Sequence, residues 1–105
     1  MSFKSLKITI LKKLDRNKLF EGVSLVDSEE KPVCLSFEEE QVFEVGADGK
    51  MPNGFCTWDW NNIYLQAIHL MLGGELPWLK EKGEAIACCA DGLRPVIFHF
   101  QRVVK

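Results

Sequence analysis

Long apolar runs are missing from this chain. No stretch is long and apolar enough to cross a lipid bilayer. The opening MSFKSLKITILKKLD interrupts its apolar residues with lysines, which makes a poor secretory signal. The expectation is a cytoplasmic protein with no membrane partner. A surplus of one charge is missing too. Thirteen Lys and Arg stand against fifteen Asp and Glu, a formal net charge of −2, and Lys alternates with Glu rather than forming a basic stripe. Nucleic acid is therefore not expected as a partner, because that affinity needs clustered positive charge. No internal repeat or low-complexity tract occurs. Nucleophile-elbow, phosphate-loop, H-E-x-x-H and paired-carboxylate signatures are all absent, which disfavours hydrolase, kinase and metalloprotease chemistry. The four cysteines contain no C-x-x-C, so a zinc ribbon or ferredoxin-type cluster is not indicated by local spacing.

What is present is enough for one domain over residues 1–105, with 47% hydrophobic residues. A chain of this size buries only about 60–70% of its unfolded surface. A metal, an oligomer interface or dense aromatic packing would reinforce so modest a core. Residues 5–13, SLKITILKK, alternate, placing Leu6, Ile8 and Ile10 on one face of a strand and Lys7, Thr9 and Leu11 on the other. Asp15 can cap a short helical turn that Gly22 ends. Residues 23–40 read as irregular, QVFEV as a strand and ADGK at 47–50 as a turn. Trp60, Ile63, Tyr64, Ala67, Ile68 and Met71 recur at three- and four-residue spacing, predicting a principal helix over about 57–72 that Gly73-Gly74 stops and Pro77 keeps from resuming. LPWLKEKG reads as a loop with one helical turn. EAIACCA and PVIFHFQRV flank ADGLR as a β-hairpin. The sum is an α+β fold, with four or five mostly antiparallel strands packed on one helix.

Three of the four cysteines, all the tryptophans and both histidines fall within residues 55–100. Cys56 lies at the predicted helix start, near unpaired N–H groups and the positive end of the helix dipole, an environment that favours thiolate. A small apolar residue tucked under the helix is the competing reading. Cys88 and Cys89 are strand neighbours and point to opposite faces. With residues 91–94 at the hairpin tip, Cys89 faces Val96 and shares a side with Phe98 and Phe100, while Cys88 shares the other with Ile97 and His99. A one-residue slip reverses this. Cys89, on the side of Phe98 and Phe100, reads as a buried core thiol, with the side that meets the helix left open. Cys34 sits in the irregular segment and joins a site only if distant segments converge.

His69 lies on the helix face away from Trp60, Ala67 and Met71, with Asn62 and Gln66, and reads as solvated, with a partner contact as the second reading. His99 reads as a histidine satisfied by a hydrogen bond, or as a proton shuttle or ligand beside Cys88. Asp91 and Arg94 read as a pair that orients the hairpin loop. The alternative is an anion site in which Arg94 donates to a carboxylate or phosphate. Asp59, in the first helical turn, is accounted for by the dipole. Trp58, Trp60 and Trp78 either pack or wall an apolar pocket between the helix start and the 76–80 loop.

PNGFCTWDWNNIY, LGGELPW and IACCADGLRPVIF together resemble an uncharacterised family of short prokaryotic proteins that carries F-C-x-W-x-W, G-G-x-x-P-W and C-C-x-D-G-x-R-P-V-x-F. The resemblance covers nearly the whole chain. It includes all four cysteine positions and Trp58, Trp60, Gly73, Gly74, Pro77, Trp78, Asp91, Gly92, Arg94 and Pro95. It implies neither an activity nor a cofactor. This chain departs from the pattern with Thr57 where the family often has proline, with Asp59 where it often has alanine, and in lacking a glycine in the turn before QVFEV. A proline at 57 would suit the first helical position, which supports Cys56 as the cap. The departure at Asp59 argues against a shared catalytic carboxylate.

Three functions compete. The first is a thiol-centred site, with Cys56 and Cys88 as reactive groups and His99 as proton carrier. It could instead be a metal site of Cys34, Cys56, Cys88 and Cys89, completed by His99 or Asp91, for zinc or iron. The second is a binding module in which Arg94, Trp58 and Trp78 hold a small organic anion. The third is an interaction domain that forms a homo-oligomer.

Overall fold

The alternation of residues 5–13 reflects a sheet with one dry face. The computed structural model describes residues 3–23 and 31–103. Strand β1 is Ser5–Lys13, and Leu6, Ile8 and Ile10 are wholly shielded from water on one side of it. Asp15 then caps the short helix α1 (Arg16–Leu19), its carboxylate accepting from Asn17 N–H at 2.7 Å. Strand β2 is Val42–Val45, helix α2 is Thr57–Met71, and strands β3 (Glu84–Cys88) and β4 (Val96–Val103) form the closing hairpin. These make an α+β fold with four strands, all pairs antiparallel, in the order β2-β1-β4-β3. The two long strands occupy the middle and the two short ones the edges, an arrangement that limits unpaired edge backbone.

Pairing sets which side chains share a face. Thr9 stands opposite His99 and Ile8 opposite Phe100, with an irregularity at Leu11 between the Ile10 and Lys12 pairs. Across the hairpin, Cys88 pairs with Ile97 and Ala87 with Phe98, so the register expected from a tip at 91–94 is the observed one. The dry face carries Leu6, Ile8, Ile10, Ala85, Ala87, Phe98 and Phe100, and α2 lies over it with Trp60, Ile63, Ala67, Leu70 and Met71 buried.

The connections are held by aromatic contacts. Phe37, between α1 and β2, is fully buried, and its ring centroid lies 5.7 Å from Phe43, 5.1 Å from Phe55 and 5.5 Å from Phe98.

Beyond Met71, Gly73 takes a φ of +101°, which reverses the chain where a side-chain-bearing residue would be strained. Gly74 is required for a different reason: the His69 ring occupies the space a Cβ there would fill. His69 is exposed, but it lies back over Gly74 rather than projecting freely. The helical turn expected in LPWLKEKG does not form. Residues 77–82 are turns, closed on one side by Leu79 N–H to Leu76 O at 3.1 Å and on the other by Gly83 N–H to the Glu75 carboxylate at 2.6 Å.

Candidate functional site

The first turns of α2 and the end of the β3–β4 hairpin bring together most of the residues singled out above. Cys56 is the N-cap of α2 with extended backbone, and its side chain makes no capping hydrogen bond. One turn along, Asp59 is 4% exposed and accepts from Ala90 N–H at 3.4 Å. Burial pushes its carboxyl up, the Ala90 hydrogen bond opposes this and the charge of Asp91 adds to it. Asn62 donates its side-chain amide to Cys88 O at 2.9 Å. Asp59 and Asn62 thus tie the helix start to the strand end.

Cys89 is buried and held in the loop. Its sulfur accepts from Val96 N–H at 3.3 Å and faces the carbonyls of Asp91 at 3.6 Å and Arg94 at 4.0 Å. Cys88 is exposed on the opposite side of the strand. Both thiols are pushed up, first by loss of water around the sulfur and, among the further causes, by the Asp59 carboxylate. That disfavours thiolate, the form that attacks electrophiles and binds metals. Cys34 is half-buried at the core edge, its sulfur accepting from Ser36 N–H at 3.4 Å.

Among the described residues no group of three or more His, Cys, Asp or Glu side chains is placed to hold a metal ion. The expected convergence of Cys34, Cys56, Cys88 and Cys89 on zinc or iron is therefore not found among them. The strand pleat separates Cys88 from Cys89, and the loop backbone engages the Cys89 sulfur.

His99 is half-buried on the sheet face away from α2. Its Nε2 lies 2.7 Å from the Glu84 carboxylate, whose other oxygen accepts from the Gln101 amide at 3.3 Å. The His99 contact, helped by Gln101, draws Glu84 below the usual carboxylate range against the opposing effect of burial. Glu84 and Cys88 lie on the two diagonals from His99 across the hairpin, and His99 is turned to Glu84. Among the described residues no hydrogen bond joins it to Cys88.

Arg94 and Asp91 pair within their own loop, Nε to Oδ2 at 3.2 Å, while the other Asp91 oxygen accepts from Leu93 N–H at 3.0 Å. This is the loop-orienting reading, and it engages Arg94 Nε, one of the donors an anion would use.

The tryptophans do not wall a common pocket. Trp60 enters the core, whereas Trp58 is 59% and Trp78 75% exposed. Two residues along a helix is roughly 200° of rotation, so Trp58 and Trp60 cannot share a side.

Sequence reasoning missed the far side of α2. Trp58, Leu65 and Leu72 recur every seventh residue and are 59%, 82% and 50% exposed, on the side opposite Trp60, Ile63, Ala67 and Met71. Asn61, Asn62 and His69 lie among them, all exposed. The one Asp, Glu, Lys or Arg on α2 is Asp59, which is buried, although 27% of the chain is charged. The sevenfold spacing was visible in TWDWNNIYLQAIHLML, but it was eclipsed by the stronger core-facing pattern.

A separate cleft of about 480 Å³, lined by residues that include Lys12, Lys13, Lys18 and Glu39, contains none of these residues. Among the described residues, no helix is long and apolar enough to cross a membrane. Comparison of the chain with protein-family models, with curated proteins and with solved structures finds no match.

Proposed function

We propose that this chain is a protein-interaction module that docks through the outward side of α2. The observation that carries the reading is Leu65, 82% exposed in mid-helix, with exposed Trp58 and Leu72 seven residues to either side and no charged residue on that side. A helix face meant for water ordinarily carries charged residues. Large apolar side chains exposed in a row, with uncharged polar residues between them, are the kind of surface that marks interaction sites. Burying a side chain such as Leu65 contributes about 1.5–3 kcal/mol, and tryptophan is enriched among residues that dominate interface energies. The elevated thiols of Cys88 and Cys89 and the engagement of Arg94 by Asp91 count against the thiol and anion readings.

A photo-crosslinking side chain placed at position 65 and expressed in cells tests this. The control is the same side chain at Glu44, exposed on β2. The expected result is a discrete protein adduct from position 65 and none from position 44. Equal or absent labelling at the two positions overturns the proposal.

A further inference from the structure

We propose that the occupant of this surface is a second copy of the chain, with α2 packed antiparallel against α2 of the second copy about a two-fold axis at Leu65. The inference rests on the docking reading above and adds the identity of the partner. Its first support is self-complementarity. A two-fold interface applies one patch to itself, so the patch must match its own reversal. The exposed row does: Leu65 meets Leu65 of the second copy, and Trp58 meets Leu72 of the second copy, because both lie seven residues from the centre. The polar residues obey the same reversal. Asn61 and His69 both lie four residues from the centre, so the row places an uncharged polar residue at each mirror position.

Charge gives the second support. In a two-fold contact each side chain meets its own copy at the axis or its mirror position away from it, so a charge at the axis meets a like charge. The outward side of α2 has no Asp, Glu, Lys or Arg, in a chain with 13 Lys and Arg and 15 Asp and Glu. This side therefore meets its own copy without charge repulsion.

The third support is spacing. Positions seven apart are two turns apart on nearly the same side of a helix, so the row runs along the axis, as side-by-side packing at a shallow angle of about 20° with axes about 8–10 Å apart requires. A 15-residue helix spans about 22 Å, so one such contact falls at or below about 1,200 Å² of total buried surface, the range of weak and transient complexes. The association is reversible and depends on protein concentration.

The test is sedimentation equilibrium of the purified chain from about 10 μM to 1 mM, the range in which interfaces this small associate. The expected result is a shift from the 12.0 kDa monomer toward twice that mass. Leu65→Glu, at an exposed position, is expected to remain folded by circular dichroism and to weaken association at least about tenfold, while Lys7→Ala on β1 leaves it unchanged. Register is read by cysteine cross-linking in a Cys88→Ser background. Leu65→Cys forms a disulfide-linked dimer on mild oxidation, whereas Trp58→Cys does not, because its counterpart lies at the far end of the contact.

Cross-linking at 58 as ready as at 65 overturns the antiparallel arrangement. A chain that is monomeric throughout the range overturns the second-copy inference. If position 65 still yields an adduct in cells, of a mass other than twice the chain, the docking reading survives and its partner is a different protein. Without any adduct, both fail.

Discussion

Glu40 is the one described non-glycine residue with a left-handed backbone, φ +70°. It sits in the turn into β2, where its N–H donates to Ile10 O at 2.7 Å and so fixes the entry to the sheet. A side-chain-bearing residue pays about 1–2 kcal/mol for this conformation, and a glycine regains part of that as freedom in the unfolded chain. Glu40→Gly is expected to raise stability by about 0.5–1 kcal/mol, seen as a higher urea midpoint at unchanged slope; a lower midpoint would assign the Glu40 side chain a favourable contact. Sequence reading marked this turn as lacking an expected glycine, and the backbone shows why one would suit it.

Asp59 was not legible in the same way. Its burial depends on the β3–β4 loop closing over the helix start, which no local pattern records. Its carboxyl lies above the ordinary value of 3.8, chiefly through burial. A raised acid binds its proton more tightly in the folded state, so stability falls as pH rises through the ordinary and folded values. Asp59→Asn keeps an acceptor for Ala90 N–H and removes the charge. Its melting temperature relative to the parent chain is expected to be higher at pH 7 and to converge with the parent near pH 3. A variant that melts below the parent at pH 7 would show the carboxylate to be stabilising.

At the scale of elements, α2 is secured at both ends by side chains. Asp59 and Asn62 fasten its start to the hairpin. At its end, Arg102 of β4 donates to Leu70 O and Gly74 O, both at 2.9 Å, and pairs with the Glu75 carboxylate at 2.5 Å. Those carbonyls belong to the last turn and exit of the helix, where intrahelical donors have run out, and the cation also suits the negative end of the dipole. Because the Arg102 side chain is only 12% exposed, Arg102→Ala takes this donor from Gly74 O and leaves Leu70 O with Gly73 N–H at 3.0 Å. The expected cost is about 1.5–3 kcal/mol, measured by urea denaturation. Arg102→Lys restores only part of it, since an ammonium cannot span the same acceptors as a planar fork. A loss under about 0.5 kcal/mol, the level of an ordinary surface substitution, would refute the clamp.

The bounds of α2 and the hairpin register were legible, because each follows from spacing within about twenty residues. The clamp was not: Arg102 and Leu70 lie 32 residues apart, and an arginine near a terminus carries no local signal. The pairing of β1 with β4 joins residues some ninety positions apart, such as Thr9 and His99, so strand order could not be read either. The missing helical turn after Pro77 has the same origin. Glu75 reaches forward to Gly83 and folds the loop across itself, which local propensity does not anticipate.

At the scale of the whole molecule, one core joins sheet, helix and connections. Phe37 is 1% exposed and touches Phe43 of β2, Phe55 ahead of α2, and Phe98 of β4. Phe55 in turn meets Trp60 with ring centroids 6.0 Å apart. The connection carrying Phe37 is therefore part of the core rather than a cover over it, and removing this ring is felt by every layer at once. Sequence reading saw the apolar stripe of α2 and the alternation of β1, hence the α+β class, but treated residues 23–40 as irregular and gave Phe37 no role. Aromatic packing between a loop and distant strands leaves no periodicity to find. A folded chain of 105 residues has a stability of only about 5–15 kcal/mol, and a buried Phe→Ala change costs about 3–5 kcal/mol. Phe37→Ala is expected to bring the domain close to unfolding at 37 °C, while Phe37→Leu costs about half as much. Hydrogen exchange distinguishes a shared core from a local patch. If the core is one unit, the protection of β1 and β4 amides falls together with that of residues 35–45 in Phe37→Ala. Unchanged protection in β1 and β4, with loss confined to the loop, would show that Phe37 holds only its own segment.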